Sequence, residues 1–368
     1  MKFKCEKYLI QNACQTASRA AASKSPIPAL EGLLISAGAG VTVTGYDLKK
    51  GIFTNFAADV ERAGSVVIEA RFLNEMLRRL PDGIVSFECE EDCKVSVKCG
   101  RSKYDIIGIE SAEYPEIQKV EGLNKLSLPQ KILKSMINDT IFAIAETDVR
   151  PVYTGTLFEI EDGKLTLVSV DGYRLAKRTE IPEEAAMENC TFIVPGSALA
   201  DIERICGDTS DEVEISVGDK HIEFKIGDTV VITRRLEGDF LNYKKAIPAS
   251  FKYEIKISRS DFLSTVDRVS LIVDEKNKTP VRVIFGDGMI SCNCVTPIGK
   301  AEDVCICEGN GEDLLIGFND RYLKDALKAA EGEEIKLCVN TASSPCVIVP
   351  AEGEEKFTYM VLPVRLHA

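Results

Sequence analysis

The sequence predicts an α+β chain built from three similar domains. Two recurring patterns, and the interval between their copies, carry this expectation. An alternating strand followed by an amphipathic helix falls at residues 2–5 and 9–22, at 125–128 and 130–144, and at 253–257 and 260–272. A second strand and helix keep the same phase, at 65–68 and 71–80, at 191–194 and 197–206, and at 313–316 and 320–330. Both series step by roughly 120–130 residues, which marks a threefold structural repeat.

The elements follow in order from their periodicity. In Lys2-Phe3-Lys4-Cys5 the apolar residues share one face, as a half-buried strand requires. Between the two helices of each repeat lies a hairpin with a glycine turn. In the first repeat the arms are 32–36 and 41–45 around Gly38-Ala39-Gly40. In the second they are 155–160 and 164–169 around Glu161-Asp162-Gly163. In the third they are 281–285 and 289–292 around Gly286-Asp287-Gly288. Each repeat ends on an aromatic segment: Glu113-Tyr114-Pro115, Phe240-Leu241-Asn242-Tyr243 and Thr358-Tyr359-Met360. The boundaries fall near Val120-Glu121-Gly122 and Ala246-Ile247-Pro248, giving domains 1–121, 122–247 and 248–368. Each repeat holds two half-repeats, and each half supplies one helix against strands, a layered α+β arrangement.

Composition narrows the function classes. The 368 residues are 45% hydrophobic and 28% charged, ordinary for a globular protein. No apolar run approaches the roughly 18–20 residues of a membrane helix. Met1-Lys2-Phe3-Lys4-Cys5-Glu6 reads as a strand and not as a signal core, so the cytoplasm is the expected location. A net charge of −13 argues against a general nucleic-acid coat protein and favours a protein partner. It leaves room for a local basic surface, because phosphates feel charges within about one Debye length, ~8–10 Å.

No segment reads as an active site, a cofactor site or a metal site. The Gly38-Ala39-Gly40 turn lacks the Gly-Lys-Ser/Thr ending of a phosphate loop. Thirteen cysteines accompany only two histidines, His221 and His367. Cys89, Cys292, Cys294, Cys305 and Cys307 occupy apolar positions of strand patterns, as reduced thiols used as small hydrophobes do. The spacing of Cys89, Cys93 and Cys99 does not suit a zinc site. The acidic runs Glu90-Glu91-Asp92 and 352–355 read as solvated turns. Two rival classes stay open on the residues alone: a cysteine-dependent enzyme using His221, and a protein-only scaffold fitting the negative charge.

Two segments break the threefold rule. Asp171-Gly172-Tyr173-Arg174-Leu175-Ala176 occurs only in the second repeat, and Leu362-Pro363-Val364-Arg365-Leu366 only at the end of the third. The latter is apolar almost to the last residue, where a chain end is normally polar and frayed. With the repeat itself, these segments closely resemble the bacterial sliding clamps, the beta subunits of DNA polymerase III. Gly100-Arg101-Ser102-Lys103-Tyr104 and Asp148-Val149-Arg150 are similar to segments of that family too.

The resemblance implies a non-enzymatic processivity factor without a cofactor. Two chains would form a head-to-tail ring of six domains, helices inside and sheets outside. A domain of this size has a radius of gyration near ~14 Å, so six in a ring leave a hole of about 35 Å, wide enough for duplex DNA. The dimer interface would bring Tyr104 and Ile106 of the first domain against Leu271 and Ile272 of the third. Lys24, Arg71, Arg78, Arg79, Arg150, Arg204, Lys324 and Lys328 would face DNA, with Lys131, Lys134 and Arg321 on or beside the same helices. Phosphate contacts of this kind are independent of sequence and weakened by salt. A peptide pocket between domains two and three would use Tyr153, Val170, Gly172, Tyr173, Arg174, Leu175, Leu241, Lys245 and Ala246, closed by Met360, Val361, Leu362, Pro363, Val364, Arg365 and Leu366. Its ligands would be peptides of the replicative polymerase alpha subunit, the clamp loader, repair polymerases and mismatch-repair proteins. The sequence departs from the family pattern at Leu241, where proline is common, at Lys245, where arginine is common, and at Tyr173, where histidine is common. His367-Ala368 extends past the usual ending.

Overall fold

The computed structural model describes residues 1–90, 92–118, 120, 124–147, 149–182, 189–274, 279–353 and 356–366. Glu91, the 121–122 part of the first domain boundary, Asp148, Glu354, Glu355, His367 and Ala368 lie outside the described residues.

Seven α-helices fall in the described residues: α1 (Lys7–Ala17), α2 (Ala70–Arg79), α3 (Gln130–Ile141), α4 (Gly196–Ile205), α5 (Tyr243–Ala246), α6 (Arg259–Ser270) and α7 (Asp320–Ala329). Six match the two helices expected of each repeat. They begin within two residues of the predicted starts, because the strand-to-helix step is sharp and often capped. Ser258 accepts from the Asp261 N–H, Asn319 from the Tyr322 N–H, and Glu69 from the Arg71 and Phe72 N–H groups. α1 stops earlier than expected, giving way to a 3-10 turn at Ser18–Ala20.

By contact density the chain forms two compact units: residues 1–133 with 200–235, and residues 134–199 with 236–368. The division cuts through the central repeat. In the first unit a five-stranded antiparallel sheet runs in the order Asp59–Arg62, Lys2–Glu6, Ile84–Cys89, Lys94–Cys99, Ser102–Ile107. An eight-stranded sheet in the same unit carries strands of both the first and second repeats, joined where Thr229–Arg234 pairs antiparallel with Lys50–Phe56. In the second unit a ten-stranded sheet joins the second and third repeats where Phe357–Val361 pairs with Arg174–Glu180. The main-chain ladders of adjacent repeats are therefore continuous.

In the third repeat the expected turn at 286–288 is absorbed into one long strand, Val281–Thr296, paired with Gly299–Phe318. Its register slips between Phe285 and Met289, and Gly288 supplies the left-handed φ of 67° that the irregularity needs.

Cysteine burial weighs against the enzyme rival. Cys93 and Cys190 are half-buried and the other eleven thiols are buried. Burial pushes the Cys5 thiol up to about 12 and the Cys305 thiol up to about 11, the reverse of what a nucleophilic thiolate requires. His221 opens the strand His221–Ile226, and burial followed by the charge of Arg234 lowers its pKa.

Arg178, 3% exposed, forms ion pairs with Asp139 (3.1 Å), Glu180 (2.6 Å) and Glu331 (3.7 Å) inside the second unit. Its charge is shared among three carboxylates, and the contact with Asp139 lacks hydrogen-bond alignment. Burial therefore outweighs Arg178, and Glu331 and Glu180 add to it, so the Asp139 carboxyl is pushed up to about 7. A folded-state value above that of the unfolded chain means that Asp139 favours folding fully while protonated, below about pH 4. That contribution is lost as pH rises to about 7. Asp139→Asn should flatten the fall in thermal stability across this window. Parallel pH profiles of wild type and variant would show that Asp139 does not carry it.

Candidate functional site

A cavity of about 610 Å³ opens in the second unit around the segment that only the second repeat carries. Asp171 builds its lip. One carboxylate oxygen accepts the backbone N–H groups of Tyr173 (2.8 Å) and Arg174 (3.0 Å), an Asx turn that folds the chain back on itself. Gly172 sits at φ 91°, a conformation that L side chains rarely adopt, and a Cβ there would point into open space. The turn leads into the strand Arg174–Glu180, whose pairing with Phe357–Val361 brings Met360 and Leu362 to the cavity wall. The Leu362 N–H donates to the Tyr173 carbonyl (2.9 Å), so the C-terminal segment is tied to the lip.

The wall is mainly apolar, with a few polar groups, as small ligand sites are. Ten of the pocket residues expected from sequence line it: Tyr153, Val170, Gly172, Tyr173, Arg174, Leu175, Leu241, Ala246, Met360 and Leu362. The other six do not. Val361 is buried on the opposite face of its strand, as the pleat demands between Met360 and Leu362. Lys245 is exposed on the single turn α5. Pro363 follows Leu362 outside the wall, and beyond it the tail turns onto the strand Gly299–Phe318. There the Val364 N–H donates to the Gly317 carbonyl (2.8 Å), and a Cβ on Gly317 would strike Leu366 at 2.6 Å. Arg365 stays exposed.

Sequence reasoning missed Ala145, Thr147, Val149 and Pro345, which also line the cavity. No periodicity marks these loop residues; only the apolar Val149, 86% exposed, hints at a surface with a purpose. Arg150, expected to face DNA, stands on the same wall. Its guanidinium lies 5.6 Å over the Tyr153 ring and donates to the Tyr153 hydroxyl (3.2 Å).

The remaining basic residues divide into held and unheld charges. Arg78 and Arg79 are paired with Glu75 (2.7 and 3.3 Å), Lys324 with Asp320 (2.8 Å) and Asp267 (3.7 Å), and Arg321 with Glu146 (2.9 Å). Lys24, Arg71, Lys131, Arg204 and Lys328 are exposed, and no ion pair holds them among the described residues. Lys134 is half-buried.

Of the residues expected at an interface, Tyr104 and Ile106 lie half-buried on the edge strand Ser102–Ile107, where Ile107 is 82% exposed. Leu271 is 83% exposed at the C-terminal cap of α6, and Ile272 packs against the third-repeat core. No group of three or more metal-ligating side chains occurs among the described residues, and no described helix is long and apolar enough to cross a membrane.

Gly172→Ala should lower unfolding stability by about 1 kcal/mol, through strain at φ 91° and not through a clash. Urea unfolding measures it; an unchanged midpoint would mean that the turn relaxes freely.

Similarity to known proteins runs over the whole chain. Models of the N-terminal, central and C-terminal domains of the DNA polymerase III beta subunit match residues 1–118, 127–242 and 244–365. The beta sliding clamp of Halalkalibacterium halodurans is 32% identical over 367 residues, covering 95% of this chain and 96% of that one. Among solved structures, the DNA polymerase sliding clamp of Bacillus subtilis superposes with a TM-score of 0.96 at 28% identity over the full length of both chains. The DNA polymerase III beta chain of Streptococcus pneumoniae gives 0.94 at 28% identity, covering 99% of this chain and all of that one. With three domain models in register and a relative of this identity along nearly its whole length, the chain belongs to the DNA polymerase III beta subunit family, the sliding clamps.

Proposed function

We propose that two copies of this chain close head to tail around duplex DNA, and that the cavity at residues 170–175 receives peptides of the replicative polymerase and other clamp-binding proteins. The protein is a processivity factor, not an enzyme, with three domains at 1–121, 122–247 and 248–368, and it works in the cytoplasm.

The observation that carries the ring is the fate of the sheet edges. Within each unit, the last strand of one repeat pairs with the fourth strand of the repeat before it. Thr229–Arg234 does so with Lys50–Phe56, and Phe357–Val361 with Arg174–Glu180. Of the edges that make this kind of joint, one pair is left over. The last strand of the first repeat is Ser102–Ile107, paired on one side only. The equivalent of the fourth strand in the third repeat is the stretch 300–306, which follows a hairpin just as Lys50–Phe56 does and pairs only with 289–295. A head-to-tail second copy supplies each edge with the other, and such a heterologous contact closes when the rotation returns to the start. Ile306, 85% exposed, and the exposed Val304 then join Tyr104, Ile106, Leu271 and Ile272 in the interface.

The unheld cations Lys24, Arg71, Arg204 and Lys328, with the paired Arg78, Arg79 and Lys324, fit loose phosphate contact. Arg150 contributes to the cavity as well as to this set. Loose contact suits a ring whose hold on DNA is topological, and the net charge of −13 disfavours a tight static grip.

Sedimentation should give twice the 40.4 kDa of one chain. Ile306→Asp should leave each chain folded yet shift the species to monomer, because a charge replaces an apolar contact at the edge. A wild-type chain that remains monomeric at micromolar concentration overturns the reading.

A further inference from the structure

We propose that Asp325, on α7 behind the cavity and outside its wall, is a positioning residue that holds the lip in its ligand-receiving form. This rests on the peptide-binding reading of the cavity and deepens it.

Arg174 is the pivot. Its side chain is 5% exposed, so its charge needs partners. Nε donates to Asp171 at 2.9 Å and Nη1 to Asp325 at 2.6 Å. The guanidinium also lies 4.4 Å over the Tyr322 ring and 5.6 Å over the Phe142 ring. Tyr322, on α7 too, stacks with Tyr173 at 6.1 Å. α7 thus fixes Arg174 by charge and Tyr173 by ring contact. Arg174 in turn fixes the Asp171 carboxylate, which organises the Tyr173 and Arg174 amides. The Tyr173 carbonyl then receives the Leu362 N–H.

The consequence is specific. Asp171 alone leaves Arg174 with one carboxylate and its two ring contacts, and with Nη1 untethered. With Asp325 present, the Nη2 nitrogen is the part of the guanidinium without a hydrogen bond to protein among the described residues, and Arg174 is part of the cavity wall. Two carboxylates outweigh the one cation, so the donor offered to a ligand suits a neutral peptide carbonyl and not an anionic group.

The test uses the full-length clamp immobilised for surface plasmon resonance, with purified polymerase III alpha subunit as the probe. Asp325→Asn removes the charge at constant shape, and Asp325→Glu restores it one methylene further out. We expect Asp325→Asn to weaken binding about tenfold and Asp325→Glu to recover part of the loss. Hydrogen exchange supplies the readout that a merely structural role would not move. In Asp325→Asn the amides of Tyr173, Arg174 and Leu362 should exchange faster, while those of the strand Lys164–Val170 stay protected. Unchanged affinity in Asp325→Asn overturns the inference and leaves the pocket reading standing. Exchange accelerated evenly across the second unit also overturns it, because Asp325 would then serve stability alone. Absence of binding by the wild type sinks the pocket reading and this inference together.

Discussion

A β-sheet edge is a row of main-chain donors and acceptors that must be paired, covered or blunted. The architecture of this chain depends on how that demand is met. In both units a repeat ends on an edge strand, and the preceding repeat supplies the complementary edge. The bonds are between backbones, so they place weak demands on side chains. This explains how repeats of dissimilar sequence make the same joint. Arg174, Ala176 and Arg178 face partners in one joint where Lys50, Ile52 and Thr54 stand in the other. It also accounts for the edges that remain. Ser102–Ile107 and the 300–306 stretch carry exposed apolar residues, Ile107, Val304 and Ile306, among charged neighbours such as Lys103, Asp105 and Glu302. That mixture suits a joint that forms with one partner in one register and resists indiscriminate pairing.

Most of the fold was legible because its signals are local. Strand alternation and helix starts are decided within a few residues, and a cap such as Ser258 or Asn319 writes the boundary into the sequence. What escaped is decided elsewhere. The single turn α5 is too short to show a period, and it is held by the Asn242 cap and by Tyr243 reaching Glu159 on a distant strand. The third-repeat turn was misread because Gly286-Asp287-Gly288 has turn chemistry, while the chain passes through it as an irregularity within one long strand, Asp287 still paired with Asn310. At the candidate site, the conspicuous Asp-Gly-Tyr-Arg segment and the apolar tail marked the right neighbourhood. The pleat then separated Met360 and Leu362 from Val361, and the tail beyond Pro363 went to Gly317 instead of the cavity. The 300–306 edge went unnoticed because exposed Val304 and Ile306 alternate with buried Cys305 and Cys307, as any half-buried strand does.

The strand Arg174–Glu180 belongs to both the joint and the cavity, and its two buried arginines show the tension between those tasks. Arg174 and Arg178 lie four residues apart, so they project from the same face. Burying a guanidinium is costly unless its charge is matched, and a matched pair adds little net stability. What such pairs do provide is definition, because a shifted register leaves a buried charge without its partner. Arg178, held by Asp139, Glu180 and Glu331, is buried and surrounds itself with more negative charge than it neutralises. Arg174 stands where the strand emerges at the cavity, between Asp171 on the lip and Asp325 on α7. A one-residue slip of Arg174–Glu180 against Phe357–Val361 would turn both arginines to the opposite face and break both sets at once. The register that completes the joint is thus the same register that aims Arg174 and sets Met360 and Leu362 beside the lip. A site built this way cannot form before the repeats have joined, which is a physical reason for the proposed partner site to lie where the threefold pattern is broken and not on the repeated framework itself.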